Sequence, residues 1–289
     1  MKSLATIVVL TLATLLTPVA AAEPNPLAGW LSHPLYPVAH HLTKYRLQPI
    51  ESDEWSAEEL QALAAGAASL PAAMLDELEQ PIRLRRVGHE CLFGVGRFTE
   101  GCPTYDDDGN FLLYDMPPIQ GEGPVERLAP LDAKERREIQ RRRAAVHAIM
   151  LAWDNEHKWS KSKSWRRING WRAAKQPFNR DLWGYSRYLG YRSPQLDFVT
   201  FAEDWFVRPE DVIDPARREV LDPNMSVACQ DFTKSRFLAE RLVELDPTWS
   251  PPARSASQPR CPAFEAWARM AEVEAVDILT AAATANRPE

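Results

Sequence analysis

Apolar residues recur at intervals of three and four along most of the chain, a pattern that predicts a mainly helical protein. The predicted helices are a first segment opened by Ser52 that resumes after Pro71 and runs to Leu78, then about Ala133 to Glu156, Pro194 to Val207, Val227 to Leu245 and Pro262 to Ala275. In the second of these, Asp132 is a suitable N-cap, with Glu135 three residues after it. Its apolar stripe is typical of a core helix and consists of Ile139, Val146, Ile149, Met150 and Trp153.

Two short segments, Ile82 to Val87 and Phe111 to Tyr114, are predicted as strands. We expect them to be neighbours in a small sheet, with a further extended run at Ala275 to Ala281. The stretch from Glu23 to Pro49 is rich in Pro, His and aromatic residues and lacks periodicity, which predicts an extended arm laid over the domain. The fold class predicted by these patterns is α+β, mostly helical, with the small sheet packed on a central helix.

The first 22 residues have the layout of a secretory signal. Lys2 supplies a positive charge, Leu4 to Leu16 is an apolar run, and Val19 to Ala22 offers small residues for cleavage. We therefore expect cleavage near Ala22 and a periplasmic or secreted protein. The apolar run is shorter than the about 20 residues that span a bilayer, and no later segment replaces it, so we expect no membrane span after signal removal.

Composition narrows the possible partners and predicts disulfides. A formal net charge of -6, with 34 basic and 40 acidic residues, does not favour binding to nucleic acid. Four cysteines in an exported chain indicate two disulfides, for which three pairings exist. We favour the pairing of Cys91 with Cys102 and of Cys229 with Cys261.

The predicted helix from Ala133 carries the candidate chemistry. His147 and Asp154 lie seven residues apart, or two helical turns, beside the apolar stripe. In a zinc metallopeptidase motif, His-Glu-x-x-His-x-x-Asp, two histidines bind the metal and the glutamate polarises the water. Here Ala148 occupies the glutamate position and Leu151 the second histidine position.

The order of several blocks gives a resemblance to bacterial envelope proteins with a zincin-like metallopeptidase domain. These blocks are the helix with His147 and Asp154, then Trp159 to Ser162, Trp165 to Trp171, Ser193 to Phe198 and Ala202 to Phe206. The resemblance covers roughly residues 80 to 245 and implies a zincin-like fold with a degenerate motif. It also implies that the helix that begins with Ser193 to Phe198 supplies a late carboxylate.

The resulting domain prediction has five segments. They are a signal peptide over 1–22, an N-terminal arm and helices over 23–80, a zincin-like domain over 81–246, a Pro- and Ser-rich tether over 247–262, and a C-terminal helix and strand over 263–289. The last segment resembles the start of a further domain in longer envelope proteins. Two explanations of this last segment remain open: the chain is a fragment of a longer protein, or the segment is a disordered tail.

The resemblance places His147 at the first metal-ligand position and Asp154 at the trailing acid. The other candidate ligands are the late-helix carboxylates Asp197, Glu203 and Asp204, and His157 is a further possible donor. The alternatives are that His147 is a core histidine hydrogen-bonded to a carboxylate and that Asp154 pairs with an arginine. The many tryptophans of the central third either line a cleft or fill the core.

Three functions are consistent with these residues. The first is a binding or scaffolding module of the envelope that has lost metallopeptidase catalysis, uses no cofactor and contacts an envelope protein or peptide. The second is a metal-dependent hydrolase with an unusual ligand set, His147 with Asp154 and one late carboxylate, for which zinc is the expected metal. The third is a helical structural protein whose likeness to a metallopeptidase is accidental.

Overall fold

The computed structural model describes residues 27–50, 55–90, 104–115, 132–168, 171–173, 176–177, 193–209 and 226–250. The α-helices in these ranges are α1 Tyr36–Leu42, α2 Ala57–Ala67, α3 Ala72–Asp76, α4 Ala133–His157, α5 Lys163–Ile168, α6 Pro194–Val207 and α7 Ser226–Leu245. The strands are β1 Leu47–Pro49, β2 Ile82–Glu90, β3 Phe111–Asp115, β4 Trp171–Ala173 and β5 Gln176–Pro177. Short 3-10 helices cover Ala28–Trp30, Thr43–Tyr45 and Trp159–Lys161.

Helix α4 is the 25-residue helix that the periodicity predicts from Ala133. Asp132 caps its start, because the carboxylate accepts the backbone N–H groups of Lys134 at 2.8 Å and Glu135 at 2.7 Å. The helix ends where Lys158 adopts a left-handed conformation with φ 59°. All five residues of the predicted apolar stripe are buried, so the prediction of a core helix is confirmed.

The core forms where α4 packs against α2 on one side and α6 on the other. Gly66 of α2 lies directly against the backbone of α4: a Cβ atom added there would come within 2.8 Å of the Arg142 Cα. The missing side chain therefore permits the close approach of these two helices. Helix α2 starts at a capping box in which Ser56 and Glu59 exchange side-chain and backbone hydrogen bonds. The predicted start at Ser52 is too early, because Trp55, which the pattern places in the helix, precedes the Ser56 cap.

The sheet contains three parallel strands in the order β1-β2-β3. Leu47 pairs with Ile82 in the first ladder, and Leu84 pairs with Phe111 in the second. The prediction that β2 and β3 are neighbours is therefore confirmed. The described protein is mostly helical with a small sheet, as the α+β prediction requires.

The prediction of an extended arm before Pro49 is wrong for residues 27–50. This segment folds into α1 and β1, and it buries Trp30, Leu42 and Leu47 in the common core. The Trp30 indole also donates to the Pro49 carbonyl at 2.9 Å. Pro37 at the start of α1 explains how a proline-containing segment remains helical, because the first turn needs no amide hydrogen.

The aromatic residues of the central third fill the core where the structure describes them. Trp153 and Trp165 have no exposed side-chain surface, and Trp205 is 1% exposed. Trp165 contacts Phe198 edge to face, with ring centroids 5.0 Å apart. Of the two alternatives for the tryptophans, lining a cleft or filling the core, these three therefore fill the core.

Several predictions fall on parts of the chain outside this description. They are the signal peptide, the C-terminal helix and strand, most of the tether, and Cys91, Cys102 and Cys261. Cys229 lies in α7, but its side chain is not among those described. Of the helices that the structure does describe, none combines the length and the apolar character needed to cross a membrane.

Candidate functional site

His147 of α4 and Glu203 of α6 face each other between the two helices. The His147 Nδ1 lies 2.5 Å from the Glu203 Oε1, and the side chains are 18% and 4% exposed. The His147 ring also contacts the Phe111 ring of β3, at 5.9 Å between centroids. The alternative in which His147 is hydrogen-bonded to a carboxylate agrees with this geometry. Its Nε2 is the nitrogen that points away from Glu203.

One helical turn earlier on α4, Arg143 forms a second polar link to α6. Its Nη2 lies 2.7 Å from the Asp204 Oδ1, and both side chains are nearly buried. Later residues of α4 contact earlier residues of α6: Arg143 meets Asp204, and Asp154 meets Gln195. The two helices therefore pack antiparallel. The carboxylate of Asp204 is therefore held by a guanidinium, a strong donor for such a group.

Asp154 is fully buried and serves the turn that follows α4. Its carboxylate accepts the Ser160 backbone N–H at 2.7 Å, the Ser160 hydroxyl at 2.6 Å and the Gln195 amide at 3.1 Å. These donors satisfy a buried charge that would otherwise be costly. Asp154 therefore ties the end of α4 to the following 3-10 helix and to the start of α6, in place of the arginine partner that we considered.

Asp197 faces α7. Its Oδ1 lies 2.6 Å from the Nζ of Lys234, and the two side chains are 1% and 0% exposed. The charge of this carboxylate is thereby matched inside the core. Asp197 and Asp204 lie seven residues apart on α6, yet they contact different elements, α7 and α4.

His157, the further possible donor, lies at the end of α4, away from His147. Its ring stacks on that of Trp153 at 3.6 Å, its Nδ1 is 3.1 Å from the Trp153 carbonyl oxygen, and its Nε2 is 3.4 Å from the Glu77 carboxylate. At the two replaced motif positions, Ala148 and Leu151 are buried in the core.

The five predicted ligands therefore do not share one site. Only His147 and Glu203 are brought into contact, and 2.5 Å is too short for two atoms that share a zinc ion about 2 Å from each. Within the described ranges, no three His, Cys, Asp or Glu side chains are grouped so that they could hold a metal ion. The donor set described here does not fit a zinc centre, and metal binding by His147 stays a prediction.

Two polar clusters beside the sheet were not predicted from the sequence. Asp106 accepts the Asn110 amide at 2.8 Å and faces Arg85 at 3.2 Å. The Asn110 side chain, together with the backbone N–H groups of Asn110 and Asp108 and with Arg85, outweighs desolvation and lowers the pKa of Asp106 to about 2. The Asp-x-x-Gly spacing before Phe111 is the signal for this turn, since Gly109 has φ 77°.

Glu59 is the centre of the second cluster. It faces Arg86 of β2 at 3.1 Å and Arg141 of α4 at 3.2 Å. Desolvation raises the pKa of Glu59, but the Ser56 backbone N–H and the two guanidinium groups outweigh it, so the pKa is lowered overall. Glu59 thereby connects α2, the sheet and α4.

Sequence reasoning missed the partners of the predicted carboxylates. Arg143 had a detectable signal, because it lies four residues before His147 and hence on the same face of α4. Ser160, Gln195 and Lys234 gave none, since each meets its partner only after separate elements pack.

Comparison of the chain with models of protein families, with curated proteins and with solved structures found no match.

Proposed function

We propose that the chain is an exported binding or scaffolding module of the bacterial envelope, a pseudoenzyme built on a degenerate zincin-like domain. The observation that carries this proposal is the Glu203 contact with His147 Nδ1 at 2.5 Å. In this position the carboxylate acts as a hydrogen-bond partner of the histidine. A metallopeptidase would need it as a further ligand of the same ion.

The other carboxylates support the same proposal through their partners. Asp154 accepts hydrogen bonds from Ser160, while Asp197 and Asp204 are matched by Lys234 and Arg143. Asp154 and Asp204 therefore join α4 to the turn that follows it and to α6, and Asp197 joins α6 to α7. Recruiting one of them to a metal would take a carboxylate away from Ser160, Lys234 or Arg143, and the loss of such a buried contact costs free energy.

The two replaced motif positions give a chemical reason to expect no metallopeptidase catalysis. Ala148 has no group that can accept a proton from water, and general base catalysis contributes typically 10²–10⁴-fold in rate. Leu151 has no lone pair for a metal. Both residues are buried, so their apolar side chains add to the packing between helices.

One observation favours the alternative, a metal-dependent hydrolase with an unusual ligand set. His147 is partly exposed, and its Nε2 makes no hydrogen bond to any residue that the structure describes. A histidine whose Nδ1 faces a carboxylate and whose Nε2 is open has the arrangement of a metal-binding imidazole with an orienting partner.

Elemental analysis of the purified protein, prepared without chelator, separates these functions. The proposal expects substoichiometric zinc that is equal in the wild type and in His147→Ala, and no peptide-bond cleavage above that of the variant. Stoichiometric zinc that is lost in His147→Ala, together with cleavage that depends on His147, would establish the hydrolase instead. Asp132→Ala serves as the control, because it removes an exposed acidic residue at the other end of α4.

A further inference from the structure

Lys234 and Asp197 are enclosed in the core as a pair. The Nζ atom lies 2.6 Å from the Oδ1 atom, and the two side chains are 0% and 1% exposed. The Nζ atom also lies 5.6 Å from the centroid of the Trp165 ring and 5.5 Å from that of Phe201. Both rings are fully buried. An amine and a carboxyl carbon are therefore held together where bulk water has no access.

We propose that Lys234 and Asp197 form an intramolecular amide bond that joins α7 to α6. A proton passes from Nζ to the carboxylate, and the resulting amine attacks Cγ of Asp197. The Nζ–Cγ bond forms and one Cγ–Oδ bond breaks. The departing oxygen takes up two of the ammonium protons and leaves as one water molecule, so the step needs no oxidant, reductant or activated co-reactant.

The surroundings favour this condensation for two physical reasons. In water, hydration of the separate ammonium and carboxylate stabilises them against condensation, and burial removes that hydration. In addition, fixing the two reacting groups in contact converts a bimolecular step into an intramolecular one, which can be worth effective concentrations on the order of 10⁵ M or more. The neutral amide product also removes two charges from the core.

The bond would connect positions 37 residues apart in the chain. It would hold α6, the helix that presents Glu203 to His147, against α7 by a covalent link that does not depend on the redox state of the compartment. This inference does not rest on the proposed function, since a hydrolase and a scaffold would both carry the link.

Mass spectrometry of the purified full chain tests the inference. The wild-type mass, with disulfides reduced, should be lower by one water than the mass calculated from the sequence that starts at the observed N-terminus of the purified chain. Digestion with trypsin should give a branched peptide that contains Asp197 and Lys234, with no cleavage after Lys234. An unmodified Lys234 peptide in the digest would overturn the inference.

Two variants control for other losses of water. Lys234→Met should restore the full sequence mass, and a deficit that persists in this variant would place the dehydration elsewhere and refute the link. Asp197→Asn should condense with release of ammonia and so give the same mass as the linked wild type. Lys234→Met has no amine to condense, so its expected mass does not depend on whether it folds. Asp197→Asn is read on the folded fraction, because the bond forms only where the core brings the two side chains together.

Discussion

The Glu203 carboxylate meets the Nδ1 atom of His147 at 2.5 Å and leaves Nε2 as the nitrogen directed away from α6. This contact joins the two helices on which the candidate chemistry was predicted. Its position implies that Glu203 holds the ring of His147 in place. Arg143 and Asp204, one turn away, repeat the link between the same helices.

The close contact between α2 and α4 depends on Gly66. We expect Gly66→Ala to lower the free energy of unfolding by about 1–3 kcal/mol, because its Cβ would overlap the Arg142 backbone, which cannot rotate away. Urea unfolding measures the change. Gly29→Ala is the matched control with open space around the added atom, and it should change stability by less than about 0.5 kcal/mol. Stabilisation by Gly66→Ala, as helix propensity alone would give, contradicts this packing.

Asp154 acts through Ser160. We expect Asp154→Ala to cost about 1–3 kcal/mol, because it leaves the buried Ser160 donors without an acceptor. A double-mutant cycle with Ser160→Ala should give a coupling energy of about 0.5 kcal/mol or more. Additive effects of the two substitutions would show that the hydrogen bond does not contribute to stability.

Replacing one member of the Lys234–Asp197 pair should lower the stability of the protein more than replacing both members. Lys234→Met removes the ammonium from beside the buried Asp197 carboxylate, whereas the double variant Lys234→Met with Asp197→Leu removes both charges. We expect the single variant to be less stable than the double variant by about 3–5 kcal/mol. Since neither variant can form the proposed amide, their comparison measures the charge effect alone. Equal stability of the two variants would contradict it.

Asp106 should contribute to the acid sensitivity of the protein. Its pKa is about 2 in the folded state, below the ordinary value of 3.8, so the folded protein binds fewer protons than the unfolded chain between these values. The resulting stabilisation is fully present above about pH 4 and is lost as the pH falls toward 2. The stability difference between wild type and Asp106→Ala should therefore be constant from pH 5 to 7 and shrink below pH 4. A difference that stays constant to pH 2.5 would contradict the assignment; equilibrium unfolding at each pH provides the test.

Helix positions could be predicted from the sequence, because local periodicity and caps determine them. Helix α6 spans the predicted residues from Pro194 to Val207, and α4 begins after its predicted cap. Residues 27–50 could not be predicted in this way. Their fold depends on burial of Trp30 and on pairing of Leu47 with Ile82, contacts that come from distant parts of the chain.

The candidate site was predictable only in part, for the same reason. The sequence identified His147 and Glu203 as members of one constellation, and the structure brings these two together. It could not assign the remaining carboxylates. Asp154 and Asp197 find their partners on other elements, and helical spacing within α4 or α6 does not encode Ser160 or Lys234. For Asp204, spacing places Arg143 on the face of α4 that carries His147 but does not identify the carboxylate that Arg143 meets.

We propose that the His147–Glu203 contact stabilises the packing of α4 against α6 and does not hold a catalytic metal. Thermal unfolding of the purified protein, with excess zinc, without added zinc and after chelation, is the most direct test. A ligand that binds only the native state raises its stability, by about 2.7 kcal/mol when the free ligand concentration is 100 times the Kd. We predict the same midpoint in all three conditions for the wild type, and a lower midpoint for Glu203→Ala that zinc does not change. A wild-type midpoint that rises with zinc, falls with chelator and loses both responses in His147→Ala would contradict the claim.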